Sequence, residues 1–134
     1  MPVKHVAILL AALASSHLCH AETWVEVRHG AFATPQESLA QVRATLKQTV
    51  IAAIGANASE PLDWSDYLIQ LRGKTLRGRR AIEIHGSCHF DDRHFSIHSE
   101  FYDESVADGG DCYFLVYFLV KTKRYSNVVF HGVA

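Results

Sequence analysis

The order of apolar and polar residues divides the chain into a helical part and a later part in which the two kinds alternate. Apolar residues recur at intervals of three or four from Leu39 to Ile54, as on the buried face of a helix. Residues 34–37, Thr-Pro-Gln-Glu, match a capping box with proline at the first helical position. The pattern predicts a long helix over residues 35–54, which Gly55 ends.

Two shorter elements flank this helix in the sequence. Residues 23–28 alternate apolar and polar side chains and predict a short strand. Further along, apolar residues at helical spacing follow Asp63, which suits an N-cap, and Gly73 comes just past them. This second pattern predicts a shorter helix whose buried face carries Trp64, Leu68 and Leu71.

From Ala81 onward the apolar residues alternate with polar ones, which is typical of half-buried strands. The runs predict four strands, at residues 81–90, 94–102, 112–121 and 124–133. A long helix followed by a sheet indicates the α+β class, with the helix packed on one face of a four-stranded antiparallel sheet. The outline resembles a cystatin-like or nuclear-transport-factor-like roll, and an analogy of fold implies no function.

The first 21 residues have the features of a secretory signal peptide. Lys4 precedes an apolar run over residues 6–13, and residues 19–21, Cys-His-Ala, fit the small-x-small rule of signal peptidase. We expect cleavage after Ala21, which leaves one globular domain over residues 22–134. The mature protein is then periplasmic or secreted.

Two alternatives to cleavage are weaker. Attachment of lipid at Cys19 is disfavoured by Leu18, which is bulky where a small residue is preferred. An uncleaved anchor is disfavoured because the apolar run is shorter than the roughly 20 residues that a bilayer requires. We expect no stable membrane insertion after the signal is removed.

The mature chain keeps Cys88 and Cys112, which an oxidising compartment can close into one disulfide. A bridge requires Cα atoms within about 7 Å, so it restricts the strand order. Either the thiols stay apart, or the acidic segment 103–111 carries the chain back so that strand 112–121 lies beside strand 81–90. Export favours the bridged arrangement.

Charge excludes one class of partner and indicates another. Loss of Lys4 with the signal leaves twelve basic residues against fourteen acidic ones, a net charge near −2. A nucleic-acid-binding protein would carry a strong basic excess. A local basic stretch nevertheless surrounds Gly78, and it is either a solvated loop or a docking patch for an acidic protein partner. Its basic residues are Lys74, Arg77, Arg79 and Arg80.

Histidines are concentrated in residues 82–101, where every second residue reads nearly the same in both directions. A hairpin of strands 81–90 and 94–102 would set these residues opposite one another on its solvent face. Opposed imidazoles can share a metal ion such as Zn, Cu or Ni when other ligands complete the set. The alternative is that they only titrate in solvent. The expected pairs are His85 with His98, His89 with His94, and Glu83 with Glu100.

An aromatic surface is expected on the side of the sheet away from the helix. The strand at residues 112–121 is apolar on both faces, which is typical of a central strand. Tyr113 and Tyr117 share its second face, and Tyr125 and His131 of the last strand are expected to join them. We interpret this surface as a candidate site for a partner protein or a small ligand, with ordinary packing as the alternative.

The sequence contains no group of residues in an arrangement typical of nucleophilic catalysis. Ser87, Ser96 and Ser99 lie near histidines, but none occupies a strained elbow, and a bridged cysteine pair leaves no thiolate. We therefore expect a protein that is not an enzyme and needs no cofactor.

Residues 108–114, Asp-Gly-Gly-Asp-Cys-Tyr-Phe, follow an earlier cysteine and precede a closing His-Gly-Val-Ala at residues 131–134. This arrangement resembles a group of small exported bacterial proteins of unassigned function. The resemblance implies secretion and a disulfide, and no activity. The interpretation that follows is a non-enzymatic exported binding protein, such as an inhibitor or immunity factor for a cell-envelope enzyme. A periplasmic metal-binding protein is the alternative.

Overall fold

A computed structural model describes residues 22–55, 63–88, 96–102 and 112–131. It contains one α-helix, one turn of 3-10 helix and six strands in these ranges. In chain order the elements are β1 (Thr23–Glu26), α1 (Gln36–Ile54), the 3-10 turn (Trp64–Asp66), β2 (Leu68–Leu76), β3 (Arg79–Ser87), β4 (Tyr113–Leu119), β5 (Arg124–Tyr125) and β6 (Val129–His131). The α+β class predicted from the sequence is confirmed.

The strands form one mixed sheet. Its order is β1-β2-β3-β4, and the short strands β5 and β6 both pair with β4. β1 runs parallel to β2, whereas the other pairs are antiparallel. The predicted sheet of four antiparallel strands is therefore wrong in strand number and in orientation.

α1 lies on one face of the sheet, as its periodicity predicts. Val42, Leu46 and Val50 are fully buried and pack with the apolar residues of β2, β3 and β4. The predicted capping box does not form. The residue before the helix is Pro35, and the hydroxyl of Thr34 donates a hydrogen bond to Glu26 instead, at 2.7 Å.

The second helix predicted after Asp63 is wrong. The Asp63 side chain does accept a hydrogen bond from the Ser65 backbone, but only one 3-10 turn follows before the chain extends into β2. Residues Leu68 to Leu71 are all buried, because β2 lies inside the sheet and is covered on both faces. A strand covered in this way does not show the alternation that would reveal it in the sequence.

The predicted hairpin of strands 81–90 and 94–102 is also wrong. β3 has β2 on one side and β4 on the other, so both of its edges are occupied. Residues 96–102 contain a turn and lie across the sheet face opposite the helix. The predicted last strand, residues 124–133, is divided into β5 and β6.

The disulfide is confirmed, and so is the strand order that it requires. Cys88 and Cys112 are bonded with their Cα atoms 5.0 Å apart, and the Cys88 N–H donates to the Cys112 carbonyl oxygen at 3.0 Å. Cys88 follows β3 and Cys112 precedes β4, and the two strands pair from Ser87 and Tyr113 at this end to Ala81 and Leu119. The bond therefore closes the end of the sheet where the long connection leaves and returns.

Gly86 permits the tightest packing on the helix face. It lies directly opposite Phe114 in the β3–β4 pairing, and a Cβ atom at this position would overlap the Phe114 ring. That ring packs in turn with Trp64 and Tyr67, at centroid distances of 6.0 and 5.7 Å. Only glycine leaves the space that this aromatic cluster occupies.

Candidate functional site

Two turns meet at the end of the sheet opposite the disulfide. The first, at Arg77 and Gly78, joins β2 to β3, and the second joins β4 to β5. They adjoin β3 and β4 at the end of their pairing, where Ala81 lies opposite Leu119, the last residue of β4. The Val120 N–H extends this pairing by donating to the carbonyl oxygen of Arg80 at 3.1 Å. The two turns are thus neighbours in a fixed register.

Basic side chains are concentrated in these two turns and in the strand residues that directly follow them. We call the surface that they form the basic end, and every basic residue in it is exposed. The chain has thirteen lysines and arginines, so nearly half of its basic residues lie here. The members of the basic end are Arg77, Arg79, Arg80, Lys121, Lys123 and Arg124.

One of these charges is neutralised. Lys123 Nζ lies 2.7 Å from Glu37 Oε1 at the start of α1, and its hydrogen bond lowers the pKa of that carboxyl group. Among the described residues, no carboxylate forms an ion pair with any other member of the basic end. The surface therefore carries a positive charge that the described protein groups leave largely uncompensated.

A cavity of about 470 Å³ lies between the two turns. Gly78, Arg79 and Arg80 line one side, and residues 119–122 line the other. The Arg80 guanidinium is held over the Phe32 ring at 4.0 Å, which fixes one wall. The cavity combines apolar walls with cationic side chains, a combination that suits a ligand with both characters.

Lys74 belongs to a different cluster from the rest of the predicted basic stretch. It lies inside β2 rather than in a loop, on the sheet face away from α1. Its Nζ is 3.0 Å from Glu83 Oε2 and 5.6 Å from the centre of the Tyr117 ring. The hydrogen bond to Glu83 raises the pKa of Lys74.

Glu83 is the centre of this second cluster and is only 5% exposed. It lies opposite Arg72 in the pairing of β2 with β3, and Arg72 Nη2 is 3.7 Å from Oε1. His85 Nε2 donates to the same oxygen at 3.0 Å. Burial would raise the pKa of Glu83, but the hydrogen bonds from His85 and Lys74 outweigh it and lower the pKa to about 2. Glu83 is therefore ionised at neutral pH.

Residues 96–102, which we call the covering segment, close this face above Glu83. The fully buried Gln70 side chain donates to the carbonyl oxygens of Ile97 and Glu100 at 2.9 and 2.8 Å, and it accepts from the Tyr102 N–H at 2.7 Å. A buried amide satisfied by three backbone groups holds the segment in a defined position.

Phe101 adds an aromatic contact to these hydrogen bonds. Its ring stacks on His85, with centroids 3.9 Å apart, and the Arg72 guanidinium lies 4.6 Å from its centre. Both of those partners also bind Glu83. The cluster therefore joins the covering segment to the sheet, and we interpret it as a stabilising contact.

The predicted aromatic surface is correct in part. Tyr113 and Tyr117 share the face away from α1, but Tyr113 is buried and stacks with Tyr102 of the covering segment. His131 lies opposite Tyr113 in the pairing of β4 with β6. Tyr125 was assigned to the wrong face: it packs edge-on against Phe118 on the helix side, and its hydroxyl is 2.8 Å from Thr45. The four residues do not form one surface.

The predicted histidine pairs are not formed by the described residues. His85 lies opposite Gln70 and Leu115, not His98, because its strand pairs with β2 and β4. Glu83 likewise faces Arg72 instead of Glu100, which removes the expected repulsion. His89 and His94 lie outside the described residues. Within those residues, no group of three or more His, Cys, Asp or Glu side chains is placed to hold a metal ion.

Sequence reasoning missed half of the basic end. Arg77, Arg79 and Arg80 were recognised as a basic stretch, whereas residues 121–124, Lys-Thr-Lys-Arg, were assigned to the ends of the two predicted strands 112–121 and 124–133 and to the connection between them. The high density of basic residues in both segments is evident from the sequence. The proximity of the two segments is not, because it depends on the pairing of β3 with β4.

The chain matches no protein-family model, and comparisons with curated proteins and with solved structures found no match. Among the described residues, no helix is both long enough and apolar enough to cross a membrane. The functional proposal therefore rests on the geometry of the two turns.

Proposed function

We propose that this protein is a non-enzymatic, exported binding protein that recognises an acidic surface on another protein through its basic end. The observation that carries the proposal is the meeting of two turns whose cationic side chains, apart from Lys123, have no carboxylate partner among the described residues. An inhibitor or immunity factor for a cell-envelope enzyme is the form of binding protein that we favour.

Charge distribution supports a protein partner over a nucleic acid. The mature chain has a net charge near −2, so the positive charge is local and does not extend over the molecule. A local patch selects a complementary acidic patch and increases the rate of encounter with it. A nucleic acid would be repelled by the remaining acidic surface.

The rigidity of the basic end supports binding with a low entropic cost. The Lys123 N–H donates to the Leu119 carbonyl oxygen at 2.8 Å, which closes the second turn. The Val120 N–H donates to the carbonyl oxygen of Arg80, which lies just after the first turn. Arg77 and Lys123 adopt the left-handed backbone conformation that tight turns require. Side chains presented on a fixed backbone lose less freedom when a partner binds.

The disulfide is consistent with an oxidising compartment, as export to the periplasm or the exterior would provide. Export itself, through a signal peptide over residues 1–21, is part of the proposal. The non-enzymatic character is likewise part of the proposal.

Site-specific photocrosslinking in the intact cell envelope tests the proposal. A photoreactive residue at Thr75, an exposed position opposite Arg80 and outside the cavity lining, is expected to capture one discrete partner, and the same residue at Gln48, on the exposed side of α1, is expected not to. The identified partner is then purified and titrated with the mature protein. Binding must weaken as salt concentration rises and must be lost in Arg79→Glu.

Lys47→Glu provides the matched control for the titration. It makes the same change in net charge at an exposed position of α1. The proposal expects Lys47→Glu to bind like the wild type. Equal losses of affinity in Arg79→Glu and Lys47→Glu, or crosslinking only from Gln48, would overturn it.

A further inference from the structure

We propose that the cavity between the two turns is an anchor site for a carboxylate side chain of the partner, with a neighbouring apolar side chain of that partner packed against Leu119 and Val120. The proposal rests on the proposed function, since it assigns the central contact of the same basic end. It adds that recognition is stereospecific and is not due to charge alone.

The size and lining of the cavity support an anchor of this composition. About 470 Å³ lies within the usual range for ligand-binding clefts and accommodates a short stretch of side chains. Leu119 and Val120 are half-buried and give it apolar walls. The cationic side chains of Arg79, Arg80 and Lys121 lie around the same space. A carboxylate on an apolar stem, as in glutamate, matches both features.

The arginines favour a carboxylate in particular. A guanidinium presents two parallel N–H donors to the two oxygens of a carboxylate, and such pairs are among the stronger hydrogen bonds in proteins. Among the described residues, neither Arg79 nor Arg80 has an ion-pair partner, and the Arg80 guanidinium lies over the face of the Phe32 ring. Both therefore retain donors for an incoming acid.

Gly78 is one of the residues that line the cavity. Its φ of 76° lies in the left-handed region, where glycine is favoured, and no atom lies within 4 Å of the position that a Cβ would take. A side chain at this position therefore meets no neighbouring atom of the protein, which makes Gly78 a suitable place to add one to the lining.

The test uses a short fluorescent peptide that alternates glutamate and leucine as the probe, with anisotropy as the readout. Thr122→Trp places a large side chain in the cavity and keeps every charge. Gly78→Asn adds a side chain to the lining, in a residue that tolerates a positive φ. The matched control is Arg77→Gln, which removes a charge of the basic end outside the cavity lining. Melting temperatures establish that all three variants fold.

The proposal expects Thr122→Trp and Gly78→Asn to weaken peptide binding at least about tenfold, and Arg77→Gln to weaken it about threefold or less. Unchanged binding in the two cavity variants, with losses in Arg77→Gln, would overturn the anchor site and leave the proposed function standing. Undetectable binding of the peptide to the wild type would also overturn the anchor site. The crosslinking experiment then decides the proposed function separately.

Discussion

The Val120 N–H donates a hydrogen bond to the carbonyl oxygen of Arg80 at 3.1 Å, and this contact brings two turns from distant parts of the chain into one surface. Each turn alone carries a few exposed cations, which is ordinary for a hairpin. Their combination produces a concentration of positive charge on a protein whose net charge is slightly negative. The binding proposal depends on that combination.

Acid is expected to destabilise the fold through Glu83. The pKa of Glu83 is lowered to about 2 in the folded protein, so its ionised form stabilises the fold above the unfolded pKa of about 4.3. This contribution is lost as pH falls from about 4.3 towards 2. We expect it to be about 2 kcal/mol, after allowing for the solvent screening of Arg72 and Lys74, which are a third or more exposed.

The measurement is the free energy of unfolding as a function of pH for the wild type and Glu83→Gln. The variant should be less stable at neutral pH and should lose less stability in acid. Glu37→Gln serves as the control, because Glu37 also has a lowered pKa but is fully exposed in its ion pair with Lys123. Parallel pH profiles for Glu83→Gln and the wild type would contradict the role given to Glu83.

Loss of the Gln70 amide is expected to free the covering segment. Gln70→Leu keeps the size of the side chain but removes its hydrogen bonds to the Tyr102 N–H and to the carbonyl oxygens of Ile97 and Glu100. Unsatisfied buried groups cost about 1–3 kcal/mol each, and part of that cost is avoided if the segment detaches. Hydrogen exchange at Tyr102 should accelerate in Gln70→Leu and stay unchanged in Gln48→Leu, an exposed control. Retained protection in Gln70→Leu would argue against this anchor.

Gly86→Ala is expected to destabilise the protein by about 2 kcal/mol, because the added methyl group overlaps the Phe114 ring. Chemical denaturation measures the loss. Phe114→Leu in the same chain makes room for the methyl group, so the double variant should lose less than the two single losses added together. Simple additivity would show that the two positions do not compete for the same space.

The disulfide is expected to contribute about 3 kcal/mol, the amount that chain entropy predicts for cysteines 24 residues apart. Cys88→Ser combined with Cys112→Ser removes it, and thermal unfolding measures the effect. The wild type in a reducing buffer should behave like the double variant. Equal stability of the oxidised and reduced proteins would contradict the role of the bond in closing this end of the sheet.

Sequence periodicity was sufficient to locate the helix and the strand that bury one face. α1 was predicted over 35–54 and is observed over Gln36–Ile54, because its polar and apolar faces are clearly separated. β3 was likewise placed correctly along most of its length, with Ile82 and Ile84 facing the helix. The disulfide followed from the cysteine count, and the pairing of β3 with β4 followed from the disulfide.

The main error began with β2. All four residues from Leu68 to Leu71 are buried, including the polar Gln70, so the segment lacks the alternation of a strand and was assigned to a helix. Without β2, one edge of β3 had no neighbour, and residues 94–102 were placed there because they alternate. The histidine pairs followed from that placement. Periodicity indicates which face a residue occupies, but it does not identify the neighbouring strand.

Half of the candidate site was predicted from the sequence, and the other half was missed for a similar reason. Charge density marks Arg77, Arg79 and Arg80 in the sequence, and it marks Lys121 and Arg124 equally well. Their proximity is a property of the sheet order. The metal-binding alternative used His85, His89, His94 and His98. The structure does not pair His85 with His98, and His89 and His94 lie outside the described residues, so the alternative remains a hypothesis that elemental analysis of the purified protein can test.

The central claim, that the basic end binds an acidic protein surface, is tested most directly by titrating the mature protein with the partner captured from Thr75 at low and at high salt. Wild-type protein should bind with an affinity that falls as salt rises, and Arg79→Glu combined with Lys121→Glu should bind at least about a hundredfold more weakly. An affinity that is independent of salt, or unchanged in the charge-reversed protein, would contradict the account.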